Sequence, residues 1–154
     1  MRFSLQLVKT QDSERVLINL MSRQPRSFGK IIGILDTGSP KTIISAMDAH
    51  LLKIPISSLE TVNAISGFGR GSLPCKILNN FKIAIKSEDD KIKIFEIPIQ
   101  VVDISALKKM NQDYRNHAFQ IPSVIGLDFL KLLNLSLNLN FNEGIAYLEE
   151  NNPA

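Results

Sequence analysis

An aspartate stands between two strongly apolar runs of this chain, in the stretch GKIIGILDTGSPKTIIS over residues 29–45. Residues 31–35 are apolar or glycine, Asp36 follows them directly, and the apolar pattern resumes at Ile43 and Ile44. A carboxylate beside buried strands is costly unless it is neutralised, paired or put to chemical use. We therefore expect a strand that ends at Asp36 and a specific role for the Asp36 side chain.

Short strands dominate the remaining pattern. The 154 residues are 44% hydrophobic and 21% charged, which suits one packed domain over residues 1–154 without a stabilising metal or disulfide. Alternating or β-branched runs predict strands, and helical spacing predicts short helices. We expect strands within residues 2–8, 14–22, 30–38, 42–45, 60–65, 76–78, 81–85, 91–103, 123–125, 135–141 and 144–150.

Three segments lie outside this strand pattern. Helical spacing appears in Ala46–Ile54 and in Leu127–Leu133, so we expect one or two short helices. The segment Ile104–Pro122 is polar and irregular, and we expect a mobile loop there with at most a helical turn at its start. The pattern as a whole predicts an all-β domain.

Two further features follow Asp36 along the chain. The glycine-rich cluster at residues 67–71 lies between two predicted strands, which is typical of a β-hairpin tip. The run Val124–Gly126 is an apolar-apolar-Gly strand that leads into the second predicted helix. Each feature alone is weak, because a tripeptide such as Asp-Thr-Gly occurs by chance in roughly a few per cent of chains of this length. Their order is more specific.

With Asp36-Thr37-Gly38, the glycine-tipped hairpin and Val124–Gly126 in this order, the sequence resembles the retropepsin-like aspartic proteases over about residues 14–148. The form G-x-D-F-L at Gly126–Leu130 is similar to cellular and bacterial members rather than viral ones. The resemblance implies a closed β-barrel or sandwich with a flap hairpin and one or two short helices. It also implies an aspartic endopeptidase, with Asp36 as the catalytic residue.

The chemistry of that family requires two carboxylates. One acts as base on a water while the other polarises the scissile carbonyl, and the pair shares one proton because like charges about 3 Å apart do not both ionise easily. The sequence has one Asp-Thr-Gly and about half the length of the two-lobed pepsin-like enzymes. We therefore expect a homodimer in which each subunit contributes Asp36, with a peptide or protein as substrate.

The resemblance assigns roles to the neighbours of Asp36. Gly38 resembles the glycine of the tight turn whose backbone N–H groups face the carboxylates, and Thr37 resembles the residue that interlocks with the partner subunit. Ser39 resembles the serine of pepsin-like enzymes that hydrogen-bonds the outer carboxylate oxygen. The flap tip, which would cover an extended substrate, corresponds to Ser66, Gly67, Phe68 and Gly69.

Two positions depart from the retroviral pattern. Pro40 stands where retroviral members commonly carry an acidic residue, and Leu127 stands where they carry an arginine. Neither side chain is charged, so the dimer must be held in a different way. This departure keeps open an alternative, a retropepsin-fold module that dimerises and binds peptides but cleaves weakly or not at all.

Other interpretations of the same residues remain. Asp36 fits an ordinary turn or helix-cap aspartate, and residues 67–71 fit a phosphate-binding loop, although no Gly-Lys-Ser/Thr follows. Phosphoryl transfer through Asp36 would require a parallel α/β fold and further carboxylates around magnesium, which the β pattern opposes. We interpret Asp128 as a residue that faces solvent or caps the following helix.

Charge and cysteine content limit the partners. The net charge of +3 is spread along the chain without a basic run, so we expect no nucleic-acid partner. No apolar run is long enough to span a bilayer.

The sequence contains no recognisable set of metal ligands among His50, His117 and Cys75, and we expect neither a metal nor another cofactor. The single cysteine fits a reducing compartment, and we expect a cytoplasmic protein.

Overall fold

The structure is a computed structural model, and it describes residues 1–66 and 71–152. Strands account for most of its regular elements, as the alternating sequence predicted. The strands are β1 (Arg2–Ser4), β2 (Gln6–Lys9), β3 (Glu14–Gln24), β4 (Ser27–Leu35), β5 (Ile43–Ile44), β6 (Glu60–Ile65), β7 (Leu73–Lys86), β8 (Ile92–Val102), β9 (Val124–Ile125), β10 (Leu135–Asn140) and β11 (Ile145–Glu150).

Eight of these strands form one sheet in the order β2-β3-β4-β9-β5-β8-β7-β6. A second pairing of β3 with β7, through Met21 opposite Ala84 and Ser22 opposite Ile83, closes the sheet from β3 to β7 into a barrel. The remaining strands form a three-stranded sheet in the order β1-β11-β10. The predicted closed, all-β architecture is confirmed.

Every second residue of the long strands points into the barrel, and these apolar side chains fill its interior. In β3 the side chains of Val16, Ile18 and Leu20 are buried in succession, while the residues between them face outward. Phe81 and Phe129 lie in the same core and are inaccessible to solvent. Full burial of one such aromatic side chain contributes roughly 2–3 kcal/mol to stability.

A smaller core lies apart from the main one. It contains Ile43, Leu73, Cys75, Leu107 and Ala118, all buried. These residues come from β5, the start of β7 and the two helices between β8 and β9. This second core fixes the β6–β7 hairpin against the helices and so defines one side of the site described below.

Short helices connect the strands. They are α1 (Ala46–Leu51), α2 (Ile104–Leu107), α3 (Gln112–Gln120) and α4 (Leu127–Leu132), with a 3₁₀ turn at Ile56–Ser58. Helices α1 and α4 match the predicted ones, but the expectation of one or two helices is too low for the described part of the chain.

The interpretation of Ile104–Pro122 as an irregular loop is wrong, because this segment contains α2 and α3. Asp103 caps α2 by accepting bonds from the backbone N–H groups of Ser105 and Ala106, and Asn111 caps α3 by accepting one from Tyr114. Leu107 and Ala118 anchor the helices in the second core. Of the helices described in residues 1–66 and 71–152, none has the length and apolar character needed to cross a membrane.

Candidate active site

Asp36 follows the last residue of β4, at the point where β4 meets β9. The two strands are parallel, with Leu35 opposite Ile125, and the Asp36 N–H donates to the Ile125 carbonyl oxygen at 3.0 Å. The Asp36 backbone is therefore fixed by the sheet. Its side chain lies at the surface of the single chain, exposed to solvent.

A tight turn follows and is organised by the Asp36 carboxylate. The Gly38 N–H donates to Asp36 Oδ1 at 2.8 Å, and the Ser39 N–H donates to the Asp36 carbonyl oxygen at 3.1 Å. A Cβ atom at position 38 would lie 3.1 Å from Asp36 Oδ1, which is a tight contact. Glycine therefore suits this position, and its backbone N–H faces the carboxylate as the resemblance implied.

The Ser39 hydroxyl does not have the partner that the resemblance implied. Ser39 Oγ donates to the Lys41 carbonyl oxygen at 2.8 Å. A hydroxyl has one proton to donate, so in this arrangement it does not also donate to the Asp36 carboxylate. The Ser39 side chain instead stabilises the turn through its bond to the Lys41 main chain.

Gly126 brings a second backbone segment against this turn. A Cβ atom at position 126 would lie 2.5 Å from the Lys41 carbonyl oxygen and 2.7 Å from the Ser39 carbonyl oxygen. Backbone hydrogen bonds cross the same gap, from Leu127 N–H to Ser39 O at 2.8 Å and from Asp128 N–H to Pro40 O at 3.3 Å. The start of α4 therefore holds the turn after Asp36 through main-chain contacts.

One side-chain contact that the sequence did not predict reinforces this junction. Asp128 is partly buried and accepts hydrogen bonds from the Thr42 N–H at 3.0 Å and from the Thr42 hydroxyl at 2.7 Å. The Gly126 N–H donates to the same Thr42 hydroxyl oxygen at 3.1 Å. Asp128 also accepts a hydrogen bond from the Phe129 N–H at 2.8 Å, so its carboxylate binds a free N–H group in the first turn of α4. It therefore does not face solvent freely, and it connects α4 to Thr42.

A cleft of about 470 Å³ opens above Asp36. One wall is the turn over residues 36–41, apart from Thr37, and the opposite wall is the end of β6 with Ser66. Ile43, Gln100 and Val124 complete the lining. The cleft therefore lies between the candidate catalytic carboxylate and the hairpin that the sequence predicted.

The predicted site residues are partly brought together. The cleft is lined by Asp36, Gly38, Ser39 and Ser66. Thr37 is exposed beside it. The β6–β7 hairpin is present, with Glu60 opposite Ile77 and Ile65 opposite Leu73. The predicted tip residues Gly67, Phe68 and Gly69 lie outside the described residues.

Cys75 is the free cysteine of the hairpin region and is 1% exposed. Burial, the largest effect, raises the pKa of its thiol from 9.0 to about 11. The thiol is therefore protonated at neutral pH and is a poor nucleophile. Within residues 1–66 and 71–152, no group of three or more His, Cys, Asp or Glu side chains is placed to hold a metal ion.

Comparison with known proteins identifies the fold. No protein-family model matches the sequence, and the curated proteins include no significant match. Among solved structures, the chain is similar to a retropepsin-like aspartic protease from Rickettsia conorii, with a TM-score of 0.55 and 15% identity, over 97% of this chain and 89% of that one. It is also similar to the EIAV protease complexed with the inhibitor HBY-793, with a TM-score of 0.52 and 17% identity, over 86% of this chain and 100% of that one. The chain has the retropepsin-like fold that the sequence predicted.

Proposed function

We propose that the chain is an aspartic endopeptidase that acts as a homodimer. A water between Asp36 and the Asp36 of a second copy attacks the scissile peptide carbonyl, while the two carboxylates share one proton. The observation that carries this proposal is the exposed Asp36 carboxylate, held at the end of the β4–β9 pair and opening into a cleft. The single Asp-Thr-Gly in the chain makes a second copy necessary.

The cleft walls suit an extended peptide. The β6–β7 hairpin acts as the flap, with Ser66 and the tip residues Gly67, Phe68 and Gly69 covering the bound substrate. Thr37, exposed beside Asp36 on the single chain, contacts the partner subunit. Substrate binds as an added strand, which uses main-chain hydrogen bonds for affinity and side-chain pockets for specificity.

The proposal includes a cytoplasmic location. It rests on Cys75, which has no second cysteine in the chain to pair with and is buried as a protonated thiol.

Asp36→Asn tests the catalytic role with little change in shape. The variant should abolish cleavage of a diverse peptide mixture, followed by mass spectrometry across a pH series. Wild-type cleavage should be blocked by a statine peptide, which mimics the tetrahedral intermediate. Asp12→Asn, at another exposed aspartate, should cleave as the wild type does. Cleavage that persists in a folded Asp36→Asn protein would refute the proposal.

A second candidate function is a peptide-binding dimer without turnover. The engagement of the Ser39 hydroxyl with Lys41 favours it, because this removes one donor that the pepsin-like pattern supplies to the carboxylate. Such a protein would bind peptides with equal affinity in the wild-type and Asp36→Asn forms and would release no fragments. The same peptide mixture therefore separates the two candidates.

A further inference from the structure

Gln100 occupies a structurally fixed position in the middle of the barrel sheet. It lies in β8, opposite Ile43 of β5 in a parallel pair and opposite Ile77 of β7 in an antiparallel pair. Its backbone N–H also donates to the Thr42 carbonyl oxygen at 3.2 Å. These contacts determine where its side chain can reach.

The neighbours of Gln100 along β8 show which face it occupies. Ile99 and Val101 are buried in the main core, so strand alternation places Gln100 on the opposite face. That face carries its parallel partner Ile43, which lines the cleft above Asp36. Gln100 therefore contributes a polar group to a floor whose other members, Ile43 and Val124, are apolar.

Gln100 also borders a second hollow of about 330 Å³, which lies beside Pro98 and Leu132. Gln100 and Lys41 line both this hollow and the cleft. The two spaces thus share one wall, and a peptide extending from Asp36 along the cleft would pass the Gln100 amide.

The oxygen of the Gln100 amide has no hydrogen-bond donor in the described part of the chain. This Oε1 atom is buried. A buried acceptor without a donor is unfavourable. The last torsion of a glutamine side chain is broad and two-fold, so the amide can turn its oxygen towards the cleft where a ligand supplies a donor.

We propose that Gln100 is a specificity-determining residue that selects an uncharged hydrogen-bonding side chain, Asn, Gln, Ser or Thr, in the peptide bound along the cleft. The inference rests on the proposed function for its ligand class. An ionised carboxylate has no proton to donate to the amide oxygen. In the Asp36→Asn protein used below, Lys41 is the charged residue in the described lining of the cleft, and its positive charge disfavours a cationic donor. An apolar side chain leaves the amide without a partner.

Selection of binders from a random peptide library tests this inference without requiring turnover. The selection uses the Asp36→Asn protein, which retains the cleft, and compares it with the double variants Asp36→Asn/Gln100→Leu and Asp36→Asn/Gln6→Leu. Gln6 is an exposed glutamine in β2 and controls for the general effect of the substitution. Thermal unfolding checks each protein, and Gln100→Met provides a second apolar replacement if Gln100→Leu does not fold.

The Gln100 protein should enrich Asn, Gln, Ser or Thr about 10-fold or more over apolar residues at one peptide position. The Gln100→Leu or Gln100→Met protein should lose that enrichment and select Leu, Ile or Val there, while Gln6→Leu should keep it. No captured peptide, no polar preference, or an identical preference after the Gln100 substitution would each overturn the inference.

Cleavage assays with the wild type decide the proposed function separately. Cleavage without a polar preference in the selection leaves the endopeptidase standing and removes the role of Gln100. A polar preference in the selection without wild-type cleavage supports the role of Gln100 and removes the endopeptidase. The selection experiment therefore decides the role of Gln100, and the cleavage assay decides the endopeptidase proposal.

Discussion

At the scale of single residues, the absence of a Cβ atom at Gly126 permits a close approach of the Ser39 and Lys41 main chain. The Gly126 backbone has φ of −95°, which any residue adopts, so space and not conformation requires glycine here. The obstructing atoms are the carbonyl groups of Ser39 and Lys41, which are main chain and cannot swing aside. Glycine at this position therefore links the start of α4 to the turn that contains Asp36.

Gly126→Ala should move that turn and lower both stability and activity. We expect a loss of about 1–3 kcal/mol in the free energy of unfolding, the usual cost of overpacking, together with a large fall in peptide cleavage. Denaturant unfolding and a cleavage assay measure the two effects. Gly144→Ala is the matched control, because Gly144 has a φ of +66° and open space around it. It should lose stability through backbone strain alone and keep full activity; equal activity in both variants would contradict the argument.

The buried thiol of Cys75 gives a prediction on alkaline stability. Its pKa is about 11 in the folded protein, against 9.0 ordinarily, because burial disfavours the thiolate. Between these values the unfolded chain has released the proton and the folded chain has kept it, so the unfolded state is favoured increasingly as pH rises. The free energy of unfolding should therefore fall by about 2 kcal/mol between pH 9 and pH 11 from this group.

Urea unfolding of the wild type and of Cys75→Ala across that pH range isolates the effect of the thiol. The difference in stability between the two proteins should shrink as pH rises, since the variant has no thiol to titrate. A difference that stays constant from pH 8 to pH 11 would show that burial does not shift the Cys75 pKa.

At the scale of secondary-structure elements, the sequence predicted the strands whose signal lies in their own local residues. The alternation in β3, β4 and β8, the apolar run of β9 and the glycine-tipped hairpin are local signals, and these strands are present. Helices α2 and α3 were missed because α3 is mostly polar and each helix buries few apolar side chains. Their capping residues, Asp103 and Asn111, were the available signal.

The contacts between distant parts of the chain within the site could not be predicted from local sequence patterns. The bonds between Asp128 and Thr42 join residues 86 positions apart in the chain, and nothing in either local sequence points to the other. The hydrogen bond of Ser39 to Lys41 depends on the turn geometry that follows Asp36, which the motif alone does not specify. The sequence therefore predicted the position of the candidate catalytic residue better than the contacts that hold it.

Helix α3 supports the hairpin beside the cleft, through Tyr114. The Tyr114 hydroxyl donates to the Ser72 carbonyl oxygen, next to the start of β7. Tyr114→Phe removes this bond and should loosen the hairpin, with hydrogen exchange faster in Glu60–Ile65 and a raised KM for peptides. The effect on global stability should be small, about 1 kcal/mol. Tyr147→Phe in β11 is a suitable control, and an unchanged exchange rate in β6 of Tyr114→Phe would contradict the supporting role of α3.

At the scale of the whole molecule, the proposed site is half complete in one chain. A dyad requires two carboxylates, and the single chain presents Asp36 exposed at its surface. In the proposed homodimer the second copy would have two roles: it would supply the second carboxylate, and it would shield the first from solvent. The question is which surface brings the copies together.

Strand β10 is a candidate for that surface because it is at the edge of the three-stranded sheet, paired with β11 on one side. Its sequence, LSLNLN, has no Lys or Pro to block pairing with another chain, and Leu139 is exposed on it. We expect Leu139→Lys to weaken self-association, since a charge on an apolar edge opposes strand addition. Ile92→Lys, at an exposed isoleucine that begins β8, is the matched control and should associate as the wild type does.

Sedimentation and kinetics together test this assembly. If two copies form the site, wild-type activity per molecule should fall on dilution through the range where sedimentation shows dissociation, and Leu139→Lys should show both losses at higher concentration. Adding excess Asp36→Asn protein should inhibit the wild type, because mixed dimers contain one carboxylate. A wild type that is monomeric at every concentration while cleaving peptides, or activity unaffected by excess Asp36→Asn protein, would rule out the shared dyad, because one chain would then supply all the catalytic groups.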